Sequence, residues 1–347
     1  MKLKDFAQIC YGKNQHKVEV EHSEIPILGT GGIIGYASKP LYIHESVLIG
    51  RKGTLGKPFY IDRPFWTIDT LFYTRINKSL IIPRYFYYAM CSLGLERFAE
   101  GAAVPSLTTK TLNEIEIPVP TMSEQQHIVD TIGSVDDLIE NLIKTQEKIN
   151  TLLVHMLTNF PKKCKLIFYN PKIIKPGLQP FDNQKIYLDT ASVDGTTTID
   201  CSYLVSNERK PSRANMQPVL NSVWSARMKG SFKVVFMNEV DVTLLTRCIL
   251  STGFIGLQET SLLPASFIYS VFLSKEFRDE KDRNSTGTTM SSINNKDFLD
   301  LLVPYLTGDE MKQFDLKARP LLLQFSSVRE KIMRLKALKA ILLRKYF

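Results

Sequence analysis

Residues 101–118 read GAAVPSLTTKTLNEIEIP, and residues 287–304 read GTTMSSINNKDFLDLLVP. One lies over the other without a gap, at an offset of 186 residues (287 − 101). Gly101 meets Gly287, Ser106 meets Ser292, Lys110 meets Lys296 and Pro118 meets Pro304. Apolar character is matched too: Val104 with Met290, Leu107 with Ile293, Leu112 with Phe298, Ile117 with Val303. A period this long marks a single internal duplication and therefore two domains, not a solenoid of short repeats.

Each copy is followed by a predicted long helix. The first opens TMSEQQ, with Ser123 as N-cap and Gln126 at capping-box spacing. Ile128, Ile132, Val135, Ile139, Leu142, Ile149, Leu153 and Met156 then follow the four–three rhythm of a coiled-coil seam, interrupted at Gln146. At the same offset, Phe314, Ala318, Leu321, Phe325, Val328, Ile332, Leu335 and Leu342 repeat it. Lys339 is the exception there, and Pro320 is expected to break or kink the early part. The first helical segment (121–160) carries a net charge of −4 and the second (309–347) +6. Opposite charge favours pairing of the two helices over self-association of like copies. Two independent helices, each docked on its own domain, are the alternative. Pairing is assigned to Ile132, Ile139, Leu142, Ile149 and Leu153 on one side and to Phe325, Val328, Ile332 and Leu335 on the other.

The rest of each half is β-rich. SVLIG, PFYI, TLFYTRI, KVVFM and VTLLTRCIL are β-branched or aromatic runs bounded by glycine, proline or polar residues. PRYFYYAMCSLGLERFA and PASFIYSVFLSKEFRD are predicted short helices opening after a proline. The expected fold is α+β: two mixed α/β domains, 1–120 and 181–306, separated by two long antiparallel coiled-coil helices in 121–160 and 307–347. Residues 161–180, rich in proline and lysine, are the expected linker.

Composition is that of a globular protein, with 44% hydrophobic and 23% charged residues, and a net charge of +9 that suits a polyanionic partner. No apolar run is long enough for a membrane span, and the first residues lack a signal-peptide pattern, so a cytoplasmic chain without membrane contact is expected. The five cysteines are scattered with no C-x-x-C pair, and the five histidines form no cluster, which points to free thiols and no metal site.

Seven of the 18 glycines fall within LGTGGIIGYASKPLYIHESVLIGRKGTLGK, residues 28–57, which invites a nucleotide-binding reading. The spacing refuses it. G-x-G-x-x-G would need glycine where Ile34 stands, and a phosphate-binding G-x-x-x-x-G-K-[ST] fails because Arg51 holds its first position and Pro58 its last. No nucleophile elbow, H-E-x-x-H or methyltransferase Asn/Asp-Pro-Pro-aromatic loop is present, so no catalytic residue is assigned. The glycines read instead as turns presenting backbone amides and basic side chains to nucleic acid. The candidates are Thr30, Gly31, Gly32, Arg51, Lys52, Lys57 and Arg75 in the first half, and Arg227, Lys229, Arg247 and Ser251 in the second. Asp69-Thr70 is placed beside the first set, and Arg227 and Lys229 where GTGG lies in the other half.

The ordered combination KLKDFA, IPILGTGGIIG, VLIGRKGTLG, TIDTLFY, GAAVPSLT…LNEIEIPVP and SEQQHIVD resembles the DNA-specificity (S) subunits of type I restriction-modification systems, densely in the first half and mainly through the repeat in the second. The resemblance implies two target-recognition domains, each reading half of a bipartite duplex DNA site, held by paired antiparallel helices. A helix of about 30 residues is about 45 Å long, close to one turn of DNA rising about 3.4 Å per base pair, so helix length would set the spacer. It also implies two methyltransferase subunits docked on the helices, a restriction subunit in complete systems, and no cofactor in this chain. S-adenosylmethionine, and ATP with Mg in a restriction subunit, would belong to the partners, in a complex serving phage defence. The chain is short for that family, which keeps a type IIB-like system open. An orphan S-like protein, or a protein-binding scaffold or adaptor that reads no DNA, is the alternative from another class.

Overall fold

The computed structural model describes residues 1–101, 105–198, 203–287 and 291–347. The matched pair Val104 and Met290, and Cys201, lie outside the described residues. The chain divides into two compact units, residues 1–139 with 335–347, and residues 140–334.

In the first unit, β1 (Ala7–Tyr11), β5 (Ser46–Gly50), β6 (Phe59–Ile61) and β8 (Leu71–Ile76) form a sheet in the order β1-β8-β5-β6. A second sheet, β2-β4-β3-β7, holds β2 (Glu19–Val20), β3 (Pro26–Gly29), β4 (Gly32–Ala37) and β7 (Trp66–Thr67). The predicted strands SVLIG, PFYI and TLFYTRI are all here. Their apolar side chains pack against α1 (Pro83–Ser92), and α2 (Thr109–Asn113) follows, opened by Thr108, whose side chain accepts from Thr111 N. α3 (Met122–Leu157) leaves this unit.

The second unit repeats the plan. β9 (Lys163–Lys165) precedes a sheet β10-β19-β16-β17, made of β10 (Lys172–Ile173), β16 (Ser222–Ala226), β17 (Val234–Met237) and β19 (Phe254–Gln258). The sheet β14-β11-β18-β15 contains β11 (Lys185–Leu188), β14 (Leu204–Val205), β15 (Ala214–Met216) and β18 (Cys248–Ser251), and β12 (Val193–Asp194) pairs with β13 (Thr197–Thr198). β3 runs parallel to β7 and β11 parallel to β18, so each half carries the same parallel pair feeding its next strand. Four helices, α4 (Val242–Arg247), α5 (Ala265–Leu273), α6 (Lys275–Arg283) and α7 (Asn295–Leu299), precede β20 (Leu302–Pro304) and α8 (Gly308–Tyr346).

Several expectations change. The expected linker 161–180 is built into the second unit: β9 pairs with β20, and Leu166 and Tyr169 are buried. Tyr169 Oη donates to Pro304 O (3.0 Å) and accepts from Leu306 N (2.7 Å), so the aromatic and aliphatic residues of this stretch outweigh its prolines and lysines. Leu166 N donates to Leu301 O as Leu3 N does to Ile115 O, which makes 163–166 the counterpart of the first residues. VTLLTRCIL is part helix and part strand, because the buried Asp241 carboxylate takes Asn238 N (3.0 Å) and turns the chain into α4. The cap of α3 is Thr121, not Ser123, with Glu124 accepting from Thr121 N and hydroxyl; Thr307 and Glu310 repeat this box at α8. α8 runs unbroken through Pro320, since Ala318, Leu322 and Phe325 on either side are anchored in the core.

Both seams face inward. In the first unit, Ile128, Val129 and Ile132 join a core to which Leu342, Leu343, Tyr346 and Phe347 add. In the second, Ile149, Leu153 and Leu157 share one core with Phe314, Ala318, Leu322 and Phe325. Ile139, Val328 and Ile332 are buried, and Leu142 and Leu335 are half-buried. The two polar interruptions find partners on the opposite helix: Gln146 Nε2 donates to Phe325 O (3.2 Å), and Lys339 Nζ lies 2.7 Å from Asp136 Oδ1. The pairing is antiparallel, and each seam is also part of its unit's core, so the helices are both paired and docked.

Candidate nucleic-acid interface

At one end of the first unit the chain turns three times within a few residues' reach. Thr30 and Gly31 form the tip of the β3–β4 hairpin, with Gly32 at φ 114°. The loop after β5 carries Arg51, Lys52 and Lys57, with Gly53 at φ 82°, a conformation that glycine adopts without strain. A Cβ on Gly53 would stand 3.2 Å from Thr30 Oγ1, so the hairpin tip and the basic loop touch. The turn between β7 and β8 closes the group. Arg51 N donates to Thr70 O (2.8 Å), its Nη1 to Asp69 O (3.2 Å), and its guanidinium lies 5.3 Å from the Tyr11 ring centroid. Lys52 and Lys57 are exposed and hold no ion pair or side-chain hydrogen bond among the described residues.

Arg75 sits apart from this group. It is exposed on β8 opposite Gln8, 5.8 Å from the Tyr42 ring centroid, and bonding to Tyr73 raises its pKa. The structure adds Lys13 and Tyr11, which the sequence reasoning missed. Lys13 N donates to Thr67 O (2.8 Å), and Lys13 O accepts from the indole of Trp66 (2.8 Å). The available signal was Gly12: any Cβ there would overlap the Ile68 carbonyl, so the glycine lets this strand end close against the turn.

The second unit has a corresponding end, and it corrects one alignment. Arg227 matches Arg51, not the GTGG turn. Arg227 N donates to Gly253 O (2.9 Å) and its carbonyl accepts from Ile293 N (3.0 Å), as Arg51 O accepts from Leu107 N (2.9 Å). The side chains differ. Arg227 is half-buried and spends its donors inside the fold, Nε on Phe254 O, Nη1 on Ile293 O (both 3.2 Å) and Nη2 on Asn295 Oδ1 (2.7 Å); burial lowers its pKa. Ser251 is also turned inward, its hydroxyl accepting from Gly253 N (3.1 Å). Lys229 is exposed on the loop after Arg227, and Arg247 is exposed at the end of α4. Arg213, which no motif marked, abuts the same turn through Thr252 N to Arg213 O (2.9 Å).

Among the described residues no helix is long and apolar enough to cross a membrane, and no group of three or more His, Cys, Asp or Glu could hold a metal. What both ends offer is backbone held in tight turns and unpaired cationic side chains, which suits phosphate contacts and reading of base edges.

Residues 1–151 match the family model described as the type I restriction modification DNA specificity domain. The chain is similar to the type I restriction enzyme MjaIX specificity subunit of Methanocaldococcus jannaschii, 27% identical over 139 residues, 38% of this chain and 32% of that one. It is similar to the type I restriction enzyme EcoprrI specificity subunit of Escherichia coli, 24% identical over 143 residues, 41% of this chain and 35% of the relative. The match thus spans about a third of those relatives' length. Among solved structures, the type I restriction-modification system S subunit from M. genitalium superposes with a TM-score of 0.57 at 16% identity, covering 100% of this chain and 95% of that one, which shows a shared fold. Residues 1–151 thus match the type I restriction modification DNA specificity domain, and the chain shares the fold of the M. genitalium S subunit over its whole length.

Proposed function

We propose that this chain is the non-catalytic DNA-reading subunit of a restriction-modification complex. Each half addresses one part of a split duplex site, methyltransferase subunits using S-adenosylmethionine dock on the helices, and the lengths of α3 and α8 set the spacer. The observation that carries this reading is the repeated frame around Arg51 and Arg227, each beside a turn and each surrounded by exposed Lys or Arg side chains. Two copies of one basic surface suit a polyanion read at two places, whereas a scaffold for a protein partner has no need of matched cationic turns.

The test is co-purification of the full chain with a methyltransferase subunit, followed by mapping of methylated adenines and titration of duplex binding against salt. Methylation at a split motif and affinity that falls steeply with salt are expected. Protein binding with no sequence preference in DNA would replace this reading with the adaptor one.

A further inference from the structure

The two halves do not display the same side chain at their matched turns. Lys52 forms an isolated bridge with Ser106, and Met228 forms the equivalent bridge with Ser292. Each directly follows the arginine of its frame. Ser106 itself exchanges backbone bonds with Glu100, and Ser292 does so with Thr286. Lys52 and Met228 therefore occupy one structural position, exposed in both units; Met228 is 42% exposed, high for an apolar side chain.

The backbone under Met228 is held firmly. Lys281, only 2% exposed, donates from Nζ to the carbonyls of Ala226 (3.2 Å), Met228 (3.2 Å) and Ser231 (2.7 Å). Gly230 N donates to Asp282 Oδ2 (3.0 Å), and Lys229 N to Ser291 O (3.0 Å). A buried ammonium is retained at a desolvation cost, and this one is offset by three carbonyls around one loop and by Asp282 Oδ1 at 3.7 Å. A fixed backbone presenting one free side chain is what base reading requires, because the side chain must meet an edge without searching for it.

Resting on the proposed function, we infer that Lys52 and Met228 are paired specificity positions. Lys52 donates to an acceptor edge, guanine O6 or N7, in one half-site, and Met228 makes an apolar contact, favouring the thymine methyl, at the corresponding place in the other. Lys281 is the positioning residue for Met228.

The experiment is selection from randomised duplex DNA by the full chain, co-purified with its methyltransferase, as wild type, Lys52→Met and Met228→Lys. Both side chains are exposed and, among the described residues, hold no side-chain hydrogen bond or ion pair, so both variants should fold, which thermal melting checks. The expected result is that Lys52→Met loses about tenfold preference for guanine at one base pair of one half-site. Met228→Lys should gain a guanine preference at one base pair of the other half-site, and each variant should leave the remaining half-site unchanged. Unaltered motifs in both variants, or a uniform loss for all sequences in Lys52→Met as a phosphate contact would give, would overturn the pairing. A wild type that enriches no sequence would overturn the DNA-reading function itself, and the pairing with it.

Discussion

Lys339 Nζ lies 2.7 Å from Asp136 Oδ1, and the Tyr88 hydroxyl donates to Asp136 Oδ2 at 3.0 Å. Both charged side chains are about four-fifths buried, and the ammonium stands 5.5 Å from the Tyr88 ring centroid. The residue that spoils the second seam is thus its polar link to the first helix. Removing one partner leaves a poorly solvated charge. Lys339→Met should destabilise the chain by ~1–3 kcal/mol in urea unfolding, and adding Asp136→Asn should restore part of the loss. Equal and additive losses would show that the two residues are not coupled.

Gly256 on β19 faces Trp224 of β16, a fully buried indole, and a Cβ at Gly256 would stand 2.5 Å from its ring. The ring is enclosed by core and has nowhere to move. Gly256→Ala should cost ~1–3 kcal/mol. At Gly31 on the hairpin tip nothing lies within 4 Å, so Gly31→Ala should change stability by less than ~0.5 kcal/mol. Chemical denaturation of the two variants compares them directly.

Glu330 has a buried Oε1 without a hydrogen-bond partner among the described residues, and burial, followed by the charge of Asp241, raises its pKa. A carboxyl raised in the folded state contributes stability that is present below its unfolded pKa and lost as pH rises through the folded value. Glu330→Gln should therefore raise the melting temperature near neutral pH, by about 2 °C. It should leave it unchanged near pH ~3, where the carboxyl is protonated in both states. Melting curves at the two pH values check the sign.

Lys57 is exposed and, among the described residues, unpaired at the rim of the first basic end. If it meets a phosphate, Lys57→Ala should weaken duplex binding similarly for all sequences and reduce the slope of log affinity against log salt by about 1. Fluorescence anisotropy at several salt concentrations measures both. A changed base preference would move Lys57 from phosphate contact to base reading.

Much of this protein was legible as pattern. The heptad spacing marked both helices, and Ile132, Leu153 and Phe325 are buried where the seam put them. The duplication announced two units of one plan, and period and β-branched runs located β5, β6, β8 and β17. These signals are local or repeat along the chain, so a single sequence contains them in full. They do not extend to VTLLTRCIL, whose strand pattern yields to the buried Asp241, paired with Arg329 at 2.6 Å across 88 residues of sequence.

Tertiary structure decided what the polar residues do. Arg51 and Arg227 look alike in sequence, yet only the backbone frame makes them equivalent, because lengths inserted in the second half hide the register from a gap-free comparison. Arg227 then spends its guanidinium on Phe254, Ile293 and Asn295, while Lys52, Lys57 and Lys229 keep their ammonium groups free among the described residues. Gln146 and Lys339, read as flaws in two seams, each meet a partner on the other helix. Hydrophobic periodicity belongs to a segment and is written along it. A hydrogen bond belongs to two segments, and whether a donor is spent or free is settled only when the second one arrives.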